Sequence, residues 1–307
     1  MIRNMQSTTN NNDFSLANRE QKVDHYSGES LSFIQLVFRN FARNKVALIS
    51  VLVIILIALT AFLGPQLSHF NPDTPDPQNS NLTPGQNGHW FGTDNLGRDI
   101  FTRVAAGTGI SLEVAFVAMI IDLIIGTTYG LISGYFGGKV DIIMQRITEV
   151  LSTIPMIIIV TLLVLVMKPG ITSIITAMML VGWINMSRIV RAQVLKIKNE
   201  EYILAAKTMG MPNSKIIFSE VLPNAMGPIV TTFMFSIPNA IFLEAFLAFI
   251  GLGVPAPLSS LGTMINDGYT QAIVFPHMVI FPVLFLALIM LGFNIIADAI
   301  RDAIEES

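Results

Sequence analysis

The sequence predicts an all-α membrane protein with six transmembrane helices, and three observations carry that prediction. The chain of 307 residues is 52% hydrophobic and 13% charged, with a mean hydropathy of +0.62, far from the balance of water-soluble domains. Apolar windows recur along it, and a bilayer core about 30 Å thick needs roughly 20 such residues per helix. With both termini cytoplasmic, fifteen of the 18 Lys and Arg fall inside, and only Arg98, Arg103 and Lys168 fall outside, as the positive-inside tendency requires. The net charge of −3 carries little weight, because that tendency counts basic residues near span ends. The chain has no cysteine, which excludes disulfides, thiol catalysis and thiolate metal sites.

Residues 1–30 are polar and Asn-rich with no apolar run, so a disordered cytoplasmic tail is expected there rather than a signal peptide. Next, Leu31, Ile34, Phe38 and Phe41 share one helical face while Arg39, Arg43 and Lys45 supply cations, the pattern of a helix lying in the headgroup layer. It leads into a first span over Val46–Leu63, so residues 31–85 hold the interfacial helix, this span and the start of an external loop. Residues 86–300 then form a five-span core. The second span, Ile110–Gly134, is interrupted by Glu113 and Asp122 and carries Gly126, Gly130, Gly134 and Gly138 at four-residue spacing, a stripe suited to close helix packing. Val150–Met167, Pro169–Ser187 and Val221–Leu243 contain no charged residue, and Gln271–Ala297 has only His277 as an ionisable group. Ala245–Asn266 is also uncharged, but Gly251, Gly253, Pro255, Pro257 and Gly262 would leave backbone groups unsatisfied in lipid. It reads as an external loop or a re-entrant turn.

Between the fourth and fifth spans lies a polar segment, residues 188–223. Its Arg188, Arg191, Lys196, Lys198, Lys207 and Lys215 place it in the cytoplasm. Asn199 is suited to cap a helix, Glu200 and Glu201 suit the first turn, and Tyr202, Ala205, Ala206 and Met209 fall at i, i+3, i+4 and i+7. Gly210 stops that helix, Pro212 opens another, and Leu222-Pro223 returns the chain to the membrane. A short helix with a small-residue face beneath a bundle is shaped to seat in another protein's groove.

Four carboxylates sit within or beside apolar spans, where a charge costs at least ~2.5 kcal/mol. Glu113 and Glu149 lie near span ends and reach the interface. Asp122 is deeper, and Glu244 begins the Gly/Pro-rich outer segment, so both are candidates for a pathway or gate. An intramembrane serine protease is a distant alternative built on Ser111 and His277, but Ser111 is followed by Leu112-Glu113 rather than a small-residue turn. The four histidines are too scattered for a metal motif. The run from Ser133 to Val140 has Ser133 where a phosphate loop needs its first glycine and Val140 where it needs a hydroxyl. Any nucleotide hydrolysis must therefore happen in a partner, and neither a cofactor, a metal nor nucleic acid is expected.

Five separated motifs give the chain a family resemblance from about Phe33 almost to its end. They are Phe38-Arg39-Asn40-Phe41-Ala42-Arg43-Asn44-Lys45, the run His89 to Ile100 containing Gly92-Thr93-Asp94 and Gly97-Arg98-Asp99, Gly134-Tyr135-Phe136-Gly137-Gly138 with Asp141, the 188–223 segment, and Gly251-Leu252-Gly253-Val254-Pro255. Together they resemble the permease subunits of bacterial binding-protein-dependent ABC importers, specifically the C-type subunit of oligopeptide and dipeptide systems. The resemblance implies a type I ABC importer permease fold in the plasma membrane. It also implies a heterodimer with a homologous B-type permease, two cytoplasmic ATPases, an external peptide-binding protein and a peptide substrate. In the family's cytoplasmic loop a coupling helix docks on the ATPase; Ala205, Ala206, Gly210, Leu222 and Pro223 match it, whereas Leu204 and Glu220 replace its glutamate and isoleucine. Glu201, Tyr202, Ala205, Ala206, Met209 and Gly210 are thus the expected coupling residues. Arg98 and Asp99 are expected to shape the external loop that receives the binding protein, by pairing with each other or with the partner permease, or else to act locally at a helix start. Related permeases carry nickel, opines or other small solutes. A secondary transporter, from another class, would leave the Tyr202–Met209 face without a purpose.

Overall fold

A computed structural model describes residues 33–306. The expected tail over residues 1–30, and Leu31 of the interfacial helix, lie outside the described residues. Among the described residues, thirteen α-helices run α1 (Phe33–Arg43), α2 (Lys45–Leu67), α3 (Ile100–Ile121), α4 (Thr127–Phe136), α5 (Gly138–Thr153), α6 (Met156–Met167), α7 (Ile171–Val181), α8 (Ile184–Ile197), α9 (Glu201–Thr208), α10 (Asn213–Ile216), α11 (Leu222–Leu247), α12 (Leu261–Tyr269) and α13 (His277–Glu305). Five continuous helical stretches are long and apolar enough to cross a bilayer, and a bent pair, α5 with α6, makes a sixth.

Local chemistry explains where these stretches begin and break. Asn44 starts α2 by accepting hydrogen bonds from the backbone N–H groups of Val46 and Ala47, both at 3.1 Å. Only Ala47, Ser50, Ile57 and Gly64 of α2 are buried, so most of its apolar surface remains available to lipid. The second span is one 37-residue stretch from Ile100 to Phe136, in which Asp122–Gly126 forms a π-helical turn. It starts at Ile100 rather than Ile110, because Asp99 caps it and the charge of Arg103 is paired at its first turns. The third span differs from a single helix over Val150–Met167. Pro155 forces Ile154 into an extended conformation, and the chain bends by 78° there. The apolar part left in α6 has 12 residues, about 18 Å of helix.

The glycine stripe is where the second span, from its π-helical turn through α4, crosses α8. A Cβ at Gly126 would stand 2.6 Å from Met186 Cβ, one at Gly130 2.6 Å from the Ser187 carbonyl, and one at Gly134 2.7 Å from Val194 Cβ. Gly138 is not part of this contact. Nothing lies within 4 Å of its missing Cβ, and its φ of +53° turns the chain between α4 and α5.

Two cores hold the bundle together. One joins α3, α7, α11, α12 and α13 through Val104, Val114, Ile174, Ile241, Leu261 and Ile289. The other lies toward the 188–223 segment and includes Leu131, Met186, Val190 and Val194 together with Ile203, Ala206, Ile216 and Val221. At the opposite end, the uncharged Ala245–Asn266 segment turns at Gly251, φ +88°, and folds back as α12. This helix begins with a capping box between Ser260 and Thr263 and packs on α13, α3 and α11. It is so close that Gly262 lies directly against Ala245. The segment is therefore a turn that leads into a nine-residue helix, which begins at Leu261 and continues to Tyr269.

Candidate functional site

The 188–223 end is built around α9. Lys198 still has helical φ and ψ and Glu200 is extended, so Glu200, not Asn199, stands at the start of α9, and no side chain caps it. The other end matches the expected stop. Gly210 has φ +78°, its N–H reaches the Lys207 carbonyl at 3.0 Å and the Met211 N–H reaches Ala206 at 3.1 Å, the paired bonds of a Schellman ending. A residue with a Cβ would meet no neighbour at Gly210; the demand there is on backbone conformation alone.

The expected coupling face is divided. Ile203 and Ala206 are buried in the second core, Ala206 at 4% exposure, whereas Tyr202, Leu204 and Met209 are exposed, Met209 at 76%. Glu201 and Ala205 are exposed with them. Partial desolvation of this exposed side chain pushes the Tyr202 phenol above its usual range, and the nearby Glu200 and Glu220 carboxylates push it the same way. Two contacts join this segment to α4: Tyr135 Oη donates to Asn213 Oδ1 at 2.9 Å, and Lys207 Nζ lies 5.2 Å from the centre of the Tyr135 ring. Beside them Arg191 makes two 2.6 Å bonds to Asp141, Ser133 donates to the same carboxylate at 2.5 Å, and Lys198 donates to the Gly134 carbonyl at 2.8 Å. These bonds fix α4, α5 and α8 against one another.

At the opposite end, Arg98 and Asp99 do not pair. Asp99 caps α3 through the Thr102 N–H at 2.8 Å and hydroxyl at 2.6 Å, and meets His89 Nδ1 at 2.9 Å. Arg98 turns instead to Asp94, Nε to Oδ2 at 2.7 Å, and Arg103 reaches that same oxygen at 3.0 Å. Asp267 of α12 stands 3.9 Å from Arg98 and 3.6 Å from Arg103. Burial raises the Asp267 carboxyl above its ordinary value; Arg98 pulls it back and Asp94 adds to the rise. Asp94, Arg103 and Asp267 were not among the expected site residues. The readable signal was that Arg103, buried at the start of a span, needs a carboxylate partner.

Midway along the bundle, Asp122 lies in the π-helical turn and lines a cavity of about 300 Å³ with Asn185, Ser236 and Asn239. Glu244 does not reach it. Its carboxylate is fully buried between α3 and α11, where Ser111 Oγ donates to Oε2 at 2.7 Å. Ser111 and His277 are not joined: His277 instead packs beside Gly92 and Phe275. Glu113 is exposed, and Glu149 pairs with Arg146 at 2.7 Å on the surface.

Known proteins are similar to this arrangement in both sequence and fold. Residues 32–84 match the N-terminal TM domain of oligopeptide transport permease C. The chain is 44% identical to the oligopeptide transport system permease protein OppC of Bacillus subtilis, over 92% of this chain and 92% of that protein. It is 43% identical to the dipeptide transport system permease protein DppC of the same organism, over 94% of this chain and 90% of that one, and 39% identical to Escherichia coli K12 OppC over 90% and 92%. An inward-facing structure of the MetNI methionine ABC transporter superposes with a TM-score of 0.55 at 19% identity, covering 66% of this chain and 96% of that one, which establishes a common fold. With residues 126–307 also matching the model of the binding-protein-dependent transport system inner membrane component, the chain belongs to that family of multi-pass membrane permeases.

Proposed function

We propose that the chain is the C-type permease of an ATP-driven importer of oligopeptides or dipeptides. It forms the pathway with a homologous B-type permease, two cytoplasmic ATPases drive the cycle, and an external binding protein delivers the peptide. The observation that carries this reading is the 43–44% identity to peptide permeases over at least nine-tenths of both chains. The division of α9 supports it mechanically. An outward face of Glu201, Tyr202, Ala205 and Met209 is available to an ATPase, and an inward face of Ile203 and Ala206 belongs to the bundle core. Closure of the ATPases on ATP moves α9, and the Tyr135 contacts and the second core carry that motion into α4 and α8, exchanging inward and outward access. In this reading both termini lie in the cytoplasm, an orientation that the distribution of basic residues supports.

Reconstitution of the four membrane-associated subunits into liposomes with the binding protein tests the reading. ATP-dependent accumulation of a labelled peptide is expected, with hydrolysis stimulated by the loaded binding protein. Accumulation of nickel or an opine in place of peptide would reject the substrate, and uptake that needs no ATPase would reject the energy source.

A further inference from the structure

The cavity beside Asp122 combines two kinds of lining. Asp122, Asn185, Ser236 and Asn239 come from three different parts of the chain, and no donor or acceptor within the described residues engages the side chains of Asp122, Asn185 or Asn239. Asp122 is half-buried, while Asn185 and Asn239 are exposed on the protomer. Polar side chains at this depth do not face lipid; they meet a pathway or a polar partner. The rest of the wall is soft, with Met156, Met178 and Met186 among its members, a residue type that adapts to ligands of different shape. Room for the carboxylate depends on Gly182, where a Cβ would stand 2.8 Å from Asp122 Oδ1.

Resting on the reading of the chain as a peptide permease, we propose that this cavity is a transit subsite for the primary ammonium group of the substrate. Asp122 supplies the counter-charge, the side-chain oxygens of Asn185 and Asn239 accept the remaining N–H bonds, and the methionine wall receives the neighbouring side chain. An ammonium has three donors and no acceptor, which matches one carboxylate flanked by amide oxygens. The division of labour also suits a transporter of many sequences. Every free peptide shares its terminal ammonium, and only the adaptable wall meets what varies. A volume of about 300 Å³ is at the small end of ligand sites and fits one residue of the peptide rather than the whole of it.

The test is binding to the purified complex in nanodiscs, without the binding protein, of labelled tri-alanine, N-acetyl-tri-alanine and N-acetyl-Ala-Lys-Ala. Tri-alanine is expected to bind at least tenfold more tightly than its acetylated form. Recovery with the lysine peptide assigns the site to any primary ammonium, and no recovery assigns it to the terminus. Asp122→Asn is expected to abolish the preference and Asp122→Glu to keep it. Equal binding of free and acetylated tri-alanine by the parent, no binding by the parent, or a preference that survives Asp122→Asn would overturn the proposal. If Asp122→Asn does not assemble, as judged by size-exclusion chromatography, Asn239→Leu is read in its place, and a preference unchanged there overturns it equally. Uptake of tri-alanine by parental proteoliposomes is measured in parallel. Absence of uptake fails the peptide reading itself, whereas uptake without an ammonium preference fails only this inference.

Discussion

Asp94 and Asp267 both face Arg98 and Arg103, yet geometry gives them unequal weight. Asp94 Oδ2 takes Arg98 Nε at 2.7 Å and Arg103 Nη1 at 3.0 Å, while Oδ1 takes the backbone N–H groups of Leu96 and Arg98, each at 2.9 Å. Its side chain is 13% exposed, against 52% for Asp267, whose closest approach is 3.6 Å. Removing one member of a well-enclosed ion pair strands the other, at roughly 3–5 kcal/mol, whereas an exposed pair contributes about 0–1 kcal/mol. Asp94→Asn is therefore expected to destabilise the subunit by about 3 kcal/mol and Asp267→Asn by less than about 1 kcal/mol, read from thermal unfolding of the purified complex. Similar losses in the two variants would refute the central place of Asp94. The sequence motif made this region visible but not its wiring. Arg98 and Asp99 are adjacent and of opposite charge, which suggested a pair, but Asp99 is committed to the start of α3. The other carboxylate facing these arginines, Asp267, arrives from α12, a helix that begins within the Ala245–Asn266 segment, where glycines and prolines concealed it, and runs on past it through Asp267.

At the scale of elements, hydropathy located the spans and missed what interrupts them. Counting charges cannot see the break at Ile154-Pro155, because its cause is a steric clash ahead of proline rather than polarity. The four-residue glycine spacing was a better guide, since it foretold a close crossing for three of its four members. Gly130 faces backbone as well as side chain: a Cβ there would meet both the Ser187 carbonyl and Val190 Cβ, at 2.6 and 2.7 Å. Gly130→Val should force α4 and α8 apart and destabilise by about 1–3 kcal/mol or more, seen as reduced abundance of the assembled complex, while Gly138→Ala has the space and needs only the positive φ. Parental abundance of Gly130→Val would show that the crossing is looser than its geometry. Orientation of these elements is tested separately by single cysteines in a chain that has none. Gln78→Cys and Ser214→Cys occupy exposed positions at opposite ends of the bundle. The first is expected to react with an impermeant thiol reagent on intact cells, the second only after permeabilisation, and labelling of both from one side would reject the six-span topology.

For the whole molecule the central question is how a motion outside the membrane reaches the helices within it, and α9 poses that question at two adjacent alanines. Periodicity assigned Ala205 and Ala206 to one face, because both are small and follow Tyr202 at i+3 and i+4. Neighbouring residues on a helix point about 100° apart, and the core beneath α9 uses that difference. Ala206 lies with Ile203 in the buried cluster that also holds Leu131, Val190 and Ile216, while Ala205 stays on the open side with Met209. The two positions therefore separate folding from coupling. Ala206→Glu buries a carboxylate with no partner, a cost that falls on the permease itself, and it should lower the amount of subunit in the membrane. Ala205→Glu adds the same charge where this chain has room for it, so insertion, abundance and pairing with the second permease are expected to match the parent. What it should remove is retention of the ATPases during purification, or the uptake driven by their hydrolysis, by at least tenfold. A complex carrying Ala205→Glu that keeps its ATPases and transports at the parental rate would place the docking face elsewhere on the 188–223 segment. Tyr135 would then have to work without α9, through its bond to Asn213 at the head of α10.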